Sequence, residues 1–178
     1  MNIYEKDGVT VIQLTGGTAS QSFSREFLPK ISQAIMDSMD SDAVVITGEG
    51  RFFSAGADID AFKKAIEEDD SVQLIRDLTG ILHPLIMKMR TSKTIFVAAI
   101  NGACAGGGLG LAPACDARIA TSGAKIAASY AGIGLSPDGG TTWLLPRLVG
   151  EQKARAFFFE NAIWDATQSL ENGVIDEI

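Results

Sequence analysis

The sequence predicts an α/β domain with crossover connections. Three features of the chain carry this expectation. Short apolar runs rich in β-branched residues, Ala43-Val44-Val45-Ile46-Thr47 and Thr94-Ile95-Phe96-Val97-Ala98-Ala99-Ile100, read as buried strands. Stretches with apolar residues every three or four positions, clearest from Ser71 to Arg90, read as amphipathic helices. Glycine-rich turns stand where strand gives way to helix, above all Gly106-Gly107-Gly108-Leu109-Gly110, and mark short strand–helix connections.

Composition narrows the class further. A chain of 178 residues that is 46% hydrophobic can bury the core of one domain. Its net charge of −7 and the lack of any basic stripe argue against a nucleic-acid partner. No apolar segment approaches bilayer length, so no membrane partner is expected. No basic segment followed by an apolar run opens the chain, so no signal peptide is visible and a cytoplasmic setting is expected. Cys104 and Cys115 lack CxxC spacing and sit in apolar or glycine-rich context, as reduced core thiols do. A single histidine and scattered carboxylates offer no metal-ligand spacing.

Taken in order, Ile3–Glu5 and Val9–Leu14 read as a hairpin turning at Asp7-Gly8. Thr15–Ser20 reads as loop. A helix capped by Ser22 or Ser24 follows, with Phe27, Leu28, Ile31, Ile35 and Met39 on one side and Pro29 early in it. After the strand at Ala43–Thr47, closed by Gly48-Glu49-Gly50, comes a small-residue turn, Ser54-Ala55-Gly56-Ala57-Asp58, and a polar helical patch around Lys63–Asp70. In the long helix from Ser71 to Arg90, Pro84 predicts a kink or a break. The strand at Thr94–Ile100 leads through the glycine-rich turn into a buried helix at Leu109–Cys115. Strands at Asp116–Thr121 and Lys125–Ala127 flank Ser122-Gly123, and Gly132–Gly140 forms a second glycine-rich loop. Helical segments run through Leu148, from Glu151 to Glu160 and from Thr167 to Asn172, with Trp143 and Trp164 expected in the core. Val174 and Ile175 are expected to begin a last strand.

The glycine-rich turn at Asn101–Ala112 leaves backbone N–H groups uncovered at the start of a helix, where the helix dipole is positive. Two readings are open at this point: an anion or oxyanion site, or a turn that lets helix and sheet pack closely. Spacing removes the nucleotide motifs. The glycines at 106, 107, 108 and 110 do not form G-x-G-x-x-G, and Gly110 is followed by Leu111-Ala112 rather than Lys and Ser or Thr. No G-x-S-x-G elbow occurs. Two small-residue turns remain, Ser54–Asp58 and Ala105–Gly110, each after a strand. Such a pair can aim one N–H each at a common carbonyl oxygen that becomes an enolate or tetrahedral adduct.

At these residues the chain resembles the crotonase superfamily, the enoyl-CoA hydratases and isomerases. The resemblance rests on four stretches in family order over essentially the whole chain: Phe53–Ile59, Ala99–Gly108, Cys115-Asp116, and Pro137–Gly140 with Trp143–Gly150. It implies a spiral of repeated β-β-α units that binds an acyl-CoA thioester, with no covalently bound cofactor and coenzyme A entering as part of the substrate. It implies an oxyanion hole from the N–H groups of Ala57 and Gly107, and adenine contacts at Ala55, Ala57, Asp58 and Ile59. Arg51, Lys63 and Lys64 are the local candidates for CoA phosphates, with solvated surface charge as the plainer reading of each. Assembly as a homotrimer or dimer of trimers is implied too. Residues 1–178 are expected to form the core domain, without the helical segment with which members usually continue.

Two departures bear on the reaction. Hydratases of the family carry one glutamate three residues after the middle glycine of the turn and another seven residues before the Pro of the second loop. Here those positions hold Gly110 and Tyr130. Loss of a general acid–base pair removes a contribution of about 10²–10⁴-fold, so efficient hydration is not expected. Asp138 instead stands where family isomerases carry a catalytic aspartate. Read from the residues alone, an Asp in Ser-Pro-Asp-Gly-Gly is a turn or cap residue. His83, 24 residues before Gly107, matches a functional His of the 4-chlorobenzoyl-CoA dehalogenases, although a lone His on a helix also commonly just packs. The expectation is an enoyl-CoA isomerase with Asp138 as base. Its alternatives are a hydrolase or dehalogenase acting on an acyl- or aryl-CoA, and a non-catalytic acyl-CoA-binding subunit.

Overall fold

A computed structural model describes residues 1–178. Two sheets form the frame. The first has five strands in the order β1 (Asn2–Lys6), β2 (Val9–Leu14), β3 (Ala43–Gly48), β5 (Ile95–Ile100) and β7 (Ala117–Ala120). Only the β1–β2 hairpin is antiparallel there, and the other pairs are parallel. The second sheet runs β4 (Phe52–Ser54), β6 (Ala103–Ala105), β8 (Lys125–Ala127) and β9 (Ile163–Asp165), with β9 antiparallel. Each of β3, β5 and β7 is followed after a short corner by its partner in the second sheet, and the chain then crosses back. The result is a spiral of β-β-α turns, as the resemblance implies.

The corner after β3 shows how sequence makes these turns. Asn101, from the next turn of the spiral, accepts from the Gly48 N–H at 2.8 Å through Oδ1. Its Nδ2 donates to the carbonyls of Gly50 and Phe52, each at 3.2 Å. One amide thus satisfies three backbone groups that the corner leaves without ladder partners.

The helices are α1 (Gly17–Ser20), α2 (Leu28–Asp37), α3 (Ile59–Glu67), α4 (Ser71–Thr91), α5 (Gly107–Ala114), α6 (Thr141–Val149), α7 (Glu151–Phe159) and α8 (Ala166–Asn172), with a 3-10 turn at Ala131–Ile133. Inward positions of the parallel strands, among them Ile12, Leu14, Val44, Ile46, Phe96 and Ala98, are fully buried. They join Leu28, Ile31, Ile35, Leu85 and Ile86 from the helices in one apolar cluster. Alternation of buried and part-exposed residues along β3 and β5 records one face turned to this core.

Several local expectations are corrected. Gly17–Ser20 is a helical turn rather than loop, and α2 begins only at Leu28 with Phe27 at its N-cap. Ser22 is no cap: its hydroxyl is buried and donates back to the Thr18 and Ala19 carbonyls. The Ser24 hydroxyl accepts from the Phe27 N–H at 3.2 Å, one turn ahead of the helix proper. Met39 falls beyond the end of α2. Pro84 does not break α4, whose 21 residues run unbroken from Ser71 to Thr91. Trp143 is 52% exposed and carries the Arg147 guanidinium over its ring at 3.8 Å, so it is not a core residue, whereas Trp164 packs on Phe157. Strands β6 and β9 are too short for periodicity to reveal. Val174 and Ile175 are buried without forming a strand, and only Glu177 bridges, to Ile119. Nearby, the buried Arg118 guanidinium is held by the Cys115 carbonyl at 2.7 Å and by the Asp176 carboxylate.

Candidate active site

Two strand ends of the second sheet lie side by side, and each runs into a turn of small residues. After β4, the turn Ala55-Gly56-Ala57 is fixed by the α1 region: the Ala55 N–H donates to the Ala19 carbonyl at 2.8 Å, and Phe23 N–H donates to the Gly56 carbonyl at 3.1 Å. After β6, Gly106 adopts φ 51° and ψ −121°, and α5 begins at Gly107. The two turns touch. A methyl group on Gly56, itself at φ +86°, would sit 2.7 Å from the Ala105 oxygen and 3.2 Å from the Gly107 nitrogen. Only glycine permits this approach.

It sets the neighbouring Ala57 beside Gly107. The Ala57 N–H donates to no backbone carbonyl outside the regular elements. Gly107 N–H belongs to the first turn of α5, where a helix offers no internal acceptor and its dipole is positive. Two such donors suit an oxygen that gains negative charge.

Both residues line a cavity of about 390 Å³, a size that ligand pockets commonly have. Ala55, Ile59 and Asp138 line it as well. Its apolar wall comes largely from Phe23, Phe62, Leu78 and Leu82.

Asp138 enters from the second glycine-rich loop. Its own carbonyl accepts from Thr141 twice, from the hydroxyl at 2.7 Å and from the N–H at 3.0 Å, which fixes the turn ahead of α6. Burial pushes the Asp138 carboxyl above the usual carboxylate range. The Tyr130 hydroxyl and, behind it, the charge of His83 pull the other way without cancelling the effect.

Gly110 and Tyr130 occupy the two positions where hydratases of the family place glutamates. Gly110 leaves no space for a larger residue: a methyl group on it would lie 2.5 Å from the Gly139 carbonyl oxygen. Tyr130 is 4% exposed and lines the cavity, and its hydroxyl donates to the Gly106 carbonyl at 2.8 Å. Burial also raises its phenol, so the proton stays on.

Other residues singled out by sequence lie elsewhere. His83 is on α4 one residue beyond Leu82, exposed and outside the cavity lining, and is linked to Asp138 by its charge alone. Asp58 is the N-cap of α3, accepting from the N–H groups of Asp60 and Ala61, and also receives the Gln21 amide at 3.0 Å. Arg51 is exposed outside the cavity, its guanidinium near the Phe52 ring. Lys63 and Lys64 pair on the surface with Asp60 and Glu68. In sequence Tyr130 is visible only as a missing glutamate, and Ile75, Leu78 and Leu82 on α4 only as a core face. The apolar spacing of α4 looks the same whether the opposite wall is protein or a cavity.

Comparison with known proteins agrees with this fold. The sequence model described as "Enoyl-CoA hydratase/isomerase" matches residues 4–178. A protein of Mycobacterium tuberculosis named "Probable enoyl-CoA hydratase EchA14" is 38% identical over 135 residues, covering 76% of this chain and 51% of that protein. "4-Chlorobenzoyl coenzyme A dehalogenase-2" of an Arthrobacter species is 31% identical over all of this chain and 65% of its own. Among solved structures, an enoyl-CoA hydratase from Polaromonas sp. JS666 superposes with a TM-score of 0.86 at 28% identity, covering 99% of this chain and 69% of that one. The chain thus spans between about half and two-thirds of the length of the two relatives compared by sequence. The expected fold, the crotonase spiral, is borne out by this superposition.

Proposed function

The chain belongs to the enoyl-CoA hydratase/isomerase family, and within it we propose an enzyme that binds an acyl-CoA thioester and shifts a double bond along its enoyl chain. The observation that carries this reading is the placing of Asp138 in one cavity with the paired N–H groups of Ala57 and Gly107, where Gly110 and Tyr130 leave no glutamate pair.

In this proposal the thioester oxygen accepts from the Ala57 and Gly107 N–H groups. The Asp138 carboxylate removes a proton from the carbon beside the thioester, and the electron pair passes into an enolate held by those two donors. Collapse of the enolate moves the double bond next to the carbonyl, and the carboxylic acid returns its proton two carbons along. One carboxylate suffices because the proton taken is the proton returned. Burial serves this role, since a carboxylate raised above its ordinary range is a stronger base. The apolar wall from Leu78, Leu82 and Phe62 suits an acyl chain.

The test is to incubate the protein separately with 3-enoyl-CoA and 2-enoyl-CoA. Isomerisation of the first, with little hydration of the second, is expected. Asp138→Asn is expected to lower that rate by about 10²–10⁴-fold, and full activity in this variant overturns the assignment.

The similarity to the Arthrobacter dehalogenase favours a second reading, a dehalogenase or thioester hydrolase. Release of halide from an aryl-CoA, or of free CoA, abolished by His83→Gln would support it over the first.

A further inference from the structure

The carbonyl of Gly106 and the N–H of Gly107 belong to one peptide unit. Its plane is rigid, so whatever holds one end aims the other. The carbonyl accepts two hydrogen bonds, from the Tyr130 hydroxyl at 2.8 Å and from the Leu109 N–H at 2.9 Å. The second is ordinary for a helix start. The first is not, because it arrives from 24 residues further along the chain.

We propose that Tyr130 is a positioning residue that orients and polarises the Gly107 N–H through the Gly106 carbonyl. Its action would deepen the function proposed above and rests on that reading of the Gly107 N–H.

The geometry gives three reasons. The peptide follows a glycine at φ 51°, a stretch of backbone with no side chain of its own to hold it, so its orientation has to be imposed from outside. Tyr130 is placed to impose it: the ring is buried and meets Phe158 edge-on, with centroids 6.3 Å apart. A donor on the carbonyl also draws electron density through the peptide and strengthens the N–H at its other end.

Tyr130 and Asp138 line the same cavity, so the residue that aims the oxyanion donor stands in the same site as the proposed base, at the position where hydratases of the family carry a glutamate.

The experiment uses butyryl-CoA labelled with ¹³C at the thioester carbonyl, a saturated probe that binds without isomerising. Bound to the unaltered protein, its carbonyl resonance should move downfield and its stretching frequency should fall. In Tyr130→Phe, which keeps the ring packing, a large part of both shifts should be lost. On 3-enoyl-CoA the same variant should lose about tenfold in kcat, less than the 10²–10³ that deleting an oxyanion donor itself costs, with KM nearly unchanged. Full shifts and full kcat in Tyr130→Phe overturn the proposal while leaving Asp138 chemistry standing. If the unaltered protein polarises the probe in a Tyr130-dependent way but isomerises nothing, the proposed reaction fails and this inference stands. No shift in the unaltered protein overturns both. Should the Phe variant not fold, 3-fluorotyrosine at position 130 keeps the hydroxyl as a stronger donor. A larger carbonyl shift is then expected, and an unchanged one overturns the proposal.

Discussion

Gly110 of α5 rests directly on Gly139 of the second glycine-rich loop: a methyl group on the first would stand 2.5 Å from the carbonyl oxygen of the second. The missing side chain at position 110 is therefore filled by the loop that carries Asp138. Absence of a carboxylate at one place and presence of one at another are two sides of the same packing.

That contact predicts that restoring a glutamate will not restore hydration. Gly110→Ala already forces backbone apart in a buried site, at a cost of about 1–3 kcal/mol. Gly110→Glu should cost more and should displace Asp138. Thermal melts of both variants, with assays on 2- and 3-enoyl-CoA, are expected to show lower stability, weaker isomerisation and no gain of hydratase activity.

Gly56→Ala tests the approach of the two turns. Its methyl group would lie 2.7 Å from the Ala105 oxygen at a backbone angle that favours glycine, so the turns should part. Loss of one oxyanion donor's alignment corresponds to about 10²-fold in kcat. Steady-state kinetics on 3-enoyl-CoA should show this loss.

Asp138 should link activity to stability through pH. Burial raises its carboxyl, so the folded state holds the proton more tightly than the unfolded chain does. Ionisation therefore costs folding free energy as pH rises from the ordinary carboxylate value, about 4, through the raised one. Asp138→Asn, which cannot ionise, should melt above the unaltered protein at pH 7, and that advantage should vanish toward pH 4. The same shift should place the acid limb of the kcat/KM profile above the ordinary carboxylate range. Melting curves and rate profiles across this interval check both signs.

The two cysteines should be silent while the chain is folded. Both are fully buried, which pushes the Cys115 thiol up to about 12 and that of Cys104 higher still. A thiol-specific disulfide reagent at pH 8 should react with neither in the native protein and with both after denaturation. Rapid labelling of either without denaturant would contradict the packing around α5.

Local chemistry alone settled much of this protein. The β-branched runs, the face of α4 and the small residues of the two turns are properties of a few consecutive residues, and each could be read in place. The spacing of glycines was enough to discard nucleotide loops, whereas Asp138 stood out only through the family resemblance, because the positions at 110 and 130 lacked the carboxylates of hydratases. Tertiary structure decided which of these residues meet. Ala57 and Gly107 are neighbours because Gly56 lets two strand ends from different turns of the spiral touch, a contact between segments some fifty residues apart. It also decided that Asp58 caps a helix and that Trp143 lies at the surface. Tyr130 is the clearest case. In sequence it is an aromatic residue standing where a glutamate was expected, and only the folded chain brings its hydroxyl to the Gly106 carbonyl. Propensity and period describe the bonds a segment makes with itself, while a site is made of bonds between segments, which depend on how the whole chain packs.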